Sequence, residues 1–238
     1  MVIAGFPAGM FQTNCYVVAA DHGADAVIID PGQDAAPTVL ETLAAHDLTP
    51  VAVLLTHGHL DHTWNATELC DRFGIPAYIH PADRPMLADP GAGLGPMLGR
   101  LIGALTFTEP DTVIDFVDGD HVELAGLRFS VDLAPGHTQG SVLLGITVPG
   151  VDGAGAETEV PVRFSGDVLF AGSIGRTDLP GGNHQQLLAS IAAKLLPLPD
   201  ETVVLPGHGP QTSIGAERTG NPFLGDAHDA VKKGRFGL

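Results

Sequence analysis

The segment 57–62, with the sequence HGHLDH, constrains the fold of this chain more than any other feature. It follows the apolar run 51–55, which has the composition of a buried strand, and precedes residues 63–73, whose apolar spacing is that of a helix. The polar cluster therefore lies in a strand-to-helix loop. Since α/β proteins collect ligands at the carboxyl ends of strands, the chain is predicted to build an α/β sheet with a functional site at its edge.

Within this segment, His57, His59, Asp61 and His62 are all residue types that bind metal ions. Core packing does not require them, and so many polar side chains in one place are costly unless they bind something. The spacing therefore indicates a metal site rather than a structural loop.

Three later segments repeat a second arrangement: PGH at 135–137, SGD at 165–167 and PGH at 206–208. Each follows an apolar, strand-like run and presents one candidate ligand, which is His137, Asp167 or His208. Glycine lets the backbone turn sharply beside a bound ion. One such segment alone would be interpreted as a turn with a polar residue, but the coincidence of all three with 57–62 favours loops that complete the metal site.

The rest of the pattern predicts two similar halves. Strands are expected at 14–20, 26–30, 51–55, 112–117, 121–124, 127–133, 141–148, 160–165 and 202–205, and helices at 35–46, 63–73 and 184–196. Strands and helices grouped in this way predict two sheets sandwiched between outer helices. We expect one domain that spans 1–238.

Three segments stand outside this pattern. Residues 89–103 mix glycine with apolar residues, and two interpretations are open: a loop over the site, or a hydrophobic turn and helix packed on the sheet. Residues 150–159 are predicted to be an exposed acidic hairpin tip. Residues 225–238 are predicted to be a short C-terminal tail, which carries Lys232, Lys233 and Arg235.

Charge and composition exclude several classes of function. The formal net charge is −17, and nucleic-acid binding depends on clustered cations, so DNA and RNA are not expected as partners. The two cysteines are too few for a disulfide framework, and neither stands in a metal-binding pattern. The sequence contains neither a basic, apolar leader nor an apolar run long enough to span a bilayer, which predicts a soluble cytoplasmic protein without membrane contact.

Taken in their order, the segment 56–62 (THGHLDH) and the downstream His137, Asp167 and His208 resemble the metallo-β-lactamase superfamily. Further segments narrow the resemblance to its glyoxalase II-like thioesterases: SGDVLF at 165–170, GRTD at 175–178, LPGG at 179–182 and NPFL at 221–224. The resemblance runs from about residue 14 to residue 224. It implies an α/β fold of the αββα type, a four-layer sandwich in which two mixed β-sheets lie between outer helices.

The same resemblance implies a ligand set for two divalent metal ions. The implied ligands are His57, His59 and His137 for the first ion, Asp61, His62 and His208 for the second, and Asp167 between them. Nitrogen and carboxylate donors suit such ions, with zinc as the first expectation and iron or manganese as alternatives.

The resemblance also implies a reaction on a small-molecule thioester, of the S-hydroxyacyl type. In such a site, the two metal ions would lower the pKa of a water that attacks the carbonyl group, and they would stabilise the oxyanion. Asp61 would orient this water or accept its proton. Arg176 is the candidate contact for a substrate carboxylate, and the alternative is a salt bridge between Arg176 and Asp178.

Departures from the family leave alternatives open. Full-length glyoxalase II has a helical C-terminal domain whose basic residues hold glutathione, and the residues after His208 are too few for such a domain, so the carrier thiol is not predicted. A persulfide dioxygenase of the same fold would use His57, His137 and Asp167 on one iron ion. Hydrolysis of lactones, other esters or phosphodiesters shares the site, and a scaffold without metal is the non-enzymatic alternative.

Overall fold

A computed structural model describes residues 1–95, 105–151 and 155–225 of the chain. Within these residues, the N-terminal half builds a sheet of six strands that lie side by side in sequence order. They are β1 (Val2–Ala8), β2 (Thr13–Ala19), β3 (Asp25–Ile29), β4 (Thr49–Leu54), β5 (Ala77–Ile79) and β6 (Val113–Asp115). The sheet is mixed, because β1 to β3 pair antiparallel and β3 to β6 pair parallel.

The second half builds another mixed sheet, in the order β14-β13-β10-β9-β8-β7 over the described residues. Its strands are β7 (His121–Leu124), β8 (Leu127–Leu133), β9 (Val142–Val151), β10 (Glu157–Gly166), β13 (Val203–Pro206) and β14 (Thr212–Ser213). Strands β10 and β13 pair in parallel, and the other neighbours pair antiparallel. A separate small hairpin contains β11 (Leu169–Phe170) and β12 (Ser173–Ile174).

Helices form the outer layers. They are α1 (Ala35–Ala45), α2 (Leu60–Thr63), α3 (Ala66–Phe73), α4 (Pro85–Ala88), α5 (His184–Lys194) and α6 (Ile214–Gly220). Leu43 of α1 and Leu69 of α3 pack in the apolar cluster outside the first sheet. Leu187 and Ile191 of α5 pack in the cluster outside the second sheet. The layers run helix, sheet, sheet, helix, which confirms the αββα sandwich predicted from the sequence.

A third apolar cluster fills the space between the two sheets. Successive residues of a strand point to opposite faces, so Ile28 of β3 packs beneath the helices while Ile29 packs between the sheets with Phe164 of β10. In β4, Val53 and Leu54 divide in the same way. Strands β3 and β4 are buried on both faces, and this is why their sequences are continuous apolar runs rather than alternating ones.

The sequence pattern missed several short or irregular elements. Strand β1, with the sequence VIAGFPA, contains glycine and proline and shows no clear alternation, and β5 is three residues long. The helix predicted at 63–73 begins earlier and is divided into α2 and α3. Tertiary pairing, rather than local pattern, places these elements.

The acidic segment 150–159 lies partly in strands, because β9 and β10 extend into it and Glu157 pairs with Val151. Residues 152–154 lie outside the described residues. So do 96–104, on which the two interpretations of 89–103 depend, and 226–238 of the C-terminal tail. Across the described ranges, no helix has the length and apolar character required to cross a membrane.

Candidate metal centre

Loops at one edge of the sandwich carry all seven candidate ligands. His57 and His59 lie in the loop after β4, and Asp61 and His62 lie in the single turn of α2 that follows. The other three follow the ends of β8, β10 and β13, and they are His137, Asp167 and His208. Because these strands end at a common edge, the structure brings together side chains that lie far apart in the sequence.

Three imidazoles meet in the interior and form what we call the first trio: His57, His59 and His137. Nε2 of His137 lies 3.2 Å from Nε2 of His57 and 2.8 Å from Nδ1 of His59. The three residues are 1%, 4% and 1% exposed. One ion could therefore contact three ring nitrogens in a site closed to solvent.

A second trio lies beside the first and contains Asp61, His62 and His208. Oδ2 of Asp61 lies 3.3 Å from Nε2 of His208 and 3.7 Å from Nε2 of His62. The His62 side chain is fully buried, whereas those of Asp61 and His208 are 21% and 27% exposed. The second trio therefore opens towards solvent.

The carboxylate of Asp167 lies between the two trios. Its Oδ1 atom is 3.3 Å from Nε2 of His62, and its Oδ2 atom is 3.6 Å from Nε2 of His208 and 3.7 Å from Nε2 of His137. One carboxylate thus faces ligands of both trios, which is the position that a bridge between two cations requires.

Four of the five histidines have their outer ring nitrogen, Nδ1, next to an acceptor. These pairs are His137 with the Arg176 carbonyl at 2.8 Å, His62 with Asp30 Oδ2 at 3.0 Å, His208 with the Phe11 carbonyl at 3.1 Å, and His57 with Thr56 Oγ1 at 3.1 Å. An Nδ1–H that donates to such an acceptor leaves the Nε2 lone pair facing the centre.

Asp30, which the sequence analysis missed, organises part of this outer layer. It directly follows β3, is 2% exposed and has a φ angle of 49°. Its Oδ1 accepts from Thr56 N at 2.8 Å, and its Oδ2 accepts from Thr56 Oγ1 at 2.6 Å as well as from His62. The signal in the sequence was an acidic residue at the end of a buried apolar strand, where burial of a charge requires partners.

The buried polar atoms of the centre fit a divalent metal ion. Nε2 of His62 and Oδ1 of Asp167 are buried and have no hydrogen-bond partner, although they lie 3.3 Å apart. Buried lone pairs without a donor are costly, and a cation between them removes that cost. Imidazole and carboxylate donors without thiolate suit zinc, iron and manganese.

Burial and neighbouring charges shift the pKa values of the candidate ligands in different directions. Burial lowers the pKa of His57 and His59, and the surrounding imidazoles lower it further, to about 3 for His59. Burial also lowers the pKa of His62, but the carboxylates of Asp167 and Asp61 outweigh it and raise that pKa well above its usual value. His57 and His59 are therefore neutral near neutral pH, whereas a proton on His62 competes with a cation.

Arg176 touches the centre through its backbone. Its carbonyl accepts from His137, as described above, while its guanidinium makes two bonds of 2.8 Å to the carboxylate of Asp178. The Arg176 and Asp178 side chains are 57% and 68% exposed. Of the two alternatives left open by the sequence, the salt bridge is the contact that the structure contains, and a substrate contact of Arg176 stays a prediction.

The chain is similar to known proteins along most of its length. The sequence pattern of the metallo-beta-lactamase superfamily matches residues 8–208. An uncharacterized protein of Mycobacterium tuberculosis is 51% identical over 225 residues, which are 94% of this chain and 98% of that protein. The hydroxyacylglutathione hydrolase GloC of Haemophilus influenzae is 36% identical over 229 residues, which are 94% of this chain and 98% of that protein.

Solved structures share the fold over almost the whole chain. The B3 metallo-beta-lactamase BLEG-1 has a TM-score of 0.77 and 42% identity, covering 94% of this chain and 99% of its own. TTHA1623 in a di-iron-bound form has a TM-score of 0.73 and 37% identity, with 93% and 100% covered. ETHE1 from Myxococcus xanthus has a TM-score of 0.73 and 26% identity, with 100% and 92% covered.

Proposed function

Because the chain belongs to the metallo-β-lactamase superfamily and is a metal-dependent hydrolase, we propose that it cleaves small acyl thioesters with the help of two divalent metal ions. One observation carries the proposal. Four histidines turn an Nε2 lone pair towards a shared centre, because acceptors hold their Nδ1 atoms on the outer side. Metal binding is the chemistry that this orientation serves.

The two trios divide the ligands between the ions. The first ion would be held by His57, His59 and His137, the second by Asp61, His62 and His208, and Asp167 would contact both. Zinc is our first expectation, while iron and manganese accept the same donors. When bound, two such ions supply Lewis acidity that polarises a carbonyl group and lowers the pKa of water.

We assign to Asp61 the role of orienting the attacking water. Its Oδ2 atom is held in place, because it accepts from Thr13 Oγ1 at 3.2 Å and lies 3.3 Å from Nε2 of His208. Burial raises the pKa of Asp61, but His62 and His208 lower it more, so it lies below its usual range. A carboxylate with a low pKa is a weak base, which favours orientation over proton removal.

The thioester assignment follows from the similarity to the hydroxyacylglutathione hydrolase GloC, of which this chain covers 98%. A protein of that name therefore has little sequence beyond the region shared with this chain. The short segment after His208, which left the carrier thiol unpredicted from the sequence, therefore does not count against glutathione. A glutathione thioester with a small hydroxyacyl group is our first candidate substrate.

The test is a panel of small acyl thioesters with different thiol carriers, assayed on protein of measured metal content. We expect hydrolysis of S-hydroxyacylglutathione, two metal ions per chain and loss of activity on chelation. Absence of thioester cleavage at every metal loading would refute the proposal. Penicillins, cephalosporins and lactones belong in the panel because of the similarity to BLEG-1, and ring opening without thioester cleavage would identify another kind of hydrolase.

The similarity to ETHE1 keeps a mononuclear-iron persulfide dioxygenase as a second candidate. It would use His57, His137 and Asp167 on one iron ion. The second trio argues against it, because a dioxygenase must leave positions on the iron open to oxygen and substrate, whereas a hydrolase gains from two ions. Oxygen consumption with a persulfide substrate, together with one iron per chain, would establish this alternative.

A further inference from the structure

Asp83 lies outside the proposed ligand set, in the turn between β5 and α4, and is 1% exposed. Its Oδ2 atom accepts from Gly58 N at 2.9 Å and from Thr138 Oγ1 at 2.6 Å. Its Oδ1 atom accepts from Gly140 N at 2.7 Å. All three donors are uncharged, so the hydrogen bonds themselves must offset the cost of burying this carboxylate.

The donors of Asp83 belong to the two loops that carry the first trio. Gly58 stands between His57 and His59, and Thr138 directly follows His137. The distances of 2.8 and 3.2 Å between the His137 ring and the other two rings join these same loops. Asp83 therefore joins the same two loops that an ion on the first trio would join.

Both loops leave room for Asp83, one for its carboxylate and the other for its backbone carbonyl. A Cβ atom on Gly140 would lie 2.6 Å from Asp83 Cγ, and one on Gly58 would lie 2.7 Å from the Asp83 carbonyl oxygen. Both contacts are too close for a real side chain. The approach of Asp83 thus requires glycine in both loops, which is independent evidence that the link is part of the design of the site.

Thr138 extends the link into its own loop. Its backbone N donates to Ser141 Oγ at 3.2 Å, and the two hydroxyl oxygens are 2.7 Å apart. Because Thr138 Oγ1 donates its hydrogen to Asp83, it is left to accept from Ser141. The loop next to His137 is thereby fixed from both sides.

From these contacts we propose that Asp83 is a positioning residue for the first metal ion, which holds the loop of His57 and His59 at a fixed distance from His137. It acts through the loops and touches neither ion nor substrate. The inference rests on the proposed function, because it assumes that an ion binds the first trio.

Glu217 provides a matched control. It is 4% exposed, and its carboxylate also accepts three hydrogen bonds: from Gly172 N at 2.9 Å, Thr212 Oγ1 at 2.6 Å and Asn221 Nδ2 at 2.7 Å. None of these partners belongs to the loops of the first trio. Glu217→Gln should therefore lower the stability of the fold, as any change of a buried carboxylate does. It should not have the effect on the metal ion that we propose for Asp83→Asn.

The experiment compares Asp83→Asn and Glu217→Gln with the wild-type chain. An amide at position 83 places an NH2 group against a backbone N–H, which forces the loops apart. Metal affinity is measured by competition with a chromophoric chelator, and the free energy of unfolding is measured alongside. We expect the ion on the enclosed first trio to be the more tightly bound of the two. Asp83→Asn should lower the affinity for this ion by about 10- to 100-fold, while Glu217→Gln should change it by less than about twofold.

The outcomes distinguish a failure of the positioning role from a failure of the proposed function. If the wild-type chain binds no metal, the proposed function fails. If the wild-type chain binds metal but both variants lower the metal affinity equally, the positioning role fails. It also fails if Asp83→Asn leaves the metal affinity unchanged. Should Asp83→Asn not fold, Thr138→Val removes one of the three hydrogen bonds and keeps the charge; we then expect a smaller loss of affinity confined to the same ion, and no loss would overturn the proposal.

Discussion

The two ligand trios differ in depth. His57, His59 and His137 are at most 4% exposed and offer nitrogen donors alone. In the second trio, Asp61 and His208 expose 21% and 27% of their side chains, and one donor is a carboxylate. A cation on the first trio is enclosed by protein, whereas one on the second trio faces solvent, where a substrate would enter.

The trios also differ in what holds them. The first is fixed by buried groups, among them Thr56 and Asp83. In the second trio, the buried Asp30 holds His62, and Thr13 at the start of β2 donates to Asp61. His208, however, depends on the turn between β1 and β2, because the Phe11 carbonyl accepts from it. Phe11 is 53% exposed. We therefore expect the first ion to be bound more tightly and the second to be lost first.

The largest effect should come from removing a ligand of the enclosed trio. His57→Ala takes away a nitrogen that no neighbour replaces, so we expect loss of the tight ion and a fall in activity beyond the roughly 10²- to 10⁴-fold that a single acid–base group contributes. His208→Ala should instead leave about one ion per chain. Elemental analysis of both variants after dialysis, together with their rates, measures the difference.

The same pair of variants tests the dinuclear arrangement. If His208→Ala binds as much metal as the wild-type chain, or if wild-type stoichiometry stays near one ion after saturation, the second trio does not bind an ion. The contrast between the trios would then reflect exposure alone.

The next largest effect is expected for Asp61→Asn. The change keeps the shape of the side chain but removes the charge that contacts His208 and orients the water, so turnover should fall by about 10²- to 10⁴-fold, the range typical of such groups. Folding should change little, because Asp61 is 21% exposed and lies in the short helix α2. Rates are compared at full metal loading, and wild-type turnover under that condition would refute a catalytic role.

The sequence singles out the seven candidate ligands because the pattern that marks them is local and repeated. The segment 57–62 holds four of them, and each of the other three follows a glycine after a strand-like run. The αββα layers were predictable for a similar reason, since buried strands such as β3 and β4 are continuous apolar runs. Patterns confined to a few neighbouring residues can be recognised in the sequence without the structure.

Residues that act over long sequence separations were not predicted, because the signal that each leaves in the sequence is weak. Asp30 bonds Thr56 across 26 positions, and Asp83 bonds Gly140 across 57. In the sequence each is a single acidic residue near a turn, which is where acidic residues are common for other reasons. Strand β1 was missed on similar grounds, because its place depends on pairing with β2 rather than on its own composition.

Acidification should have a smaller, gradual effect on metal content that differs between the two trios. Metal binding requires neutral histidines, and the carboxylates of Asp61 and Asp167 raise the pKa of His62 against the lowering effect of burial. As pH falls below neutral, protons therefore compete with the metal ion first at the second trio. The metal affinity there should fall about tenfold per pH unit for each proton that the ion displaces. His59, with a pKa of about 3, stays neutral. Metal content measured from pH 8 to pH 5 should fall from two ions to one, and simultaneous loss of both would contradict the contrast.

The smallest effect is expected for Arg176→Ala, which separates the two contacts of this residue. The backbone carbonyl that accepts from His137 is retained, so the first trio should keep its ion and kcat should change little. The exposed guanidinium already binds Asp178, and such surface pairs contribute weakly, so KM for an anionic thioester should rise by less than about tenfold. Arg128→Ala, which breaks the exposed pair with Glu123, is the control for losing one surface cation. A larger rise in KM for Arg176→Ala than for this control, with metal content unchanged, would show that the side chain leaves Asp178 to contact the substrate, as the sequence analysis predicted.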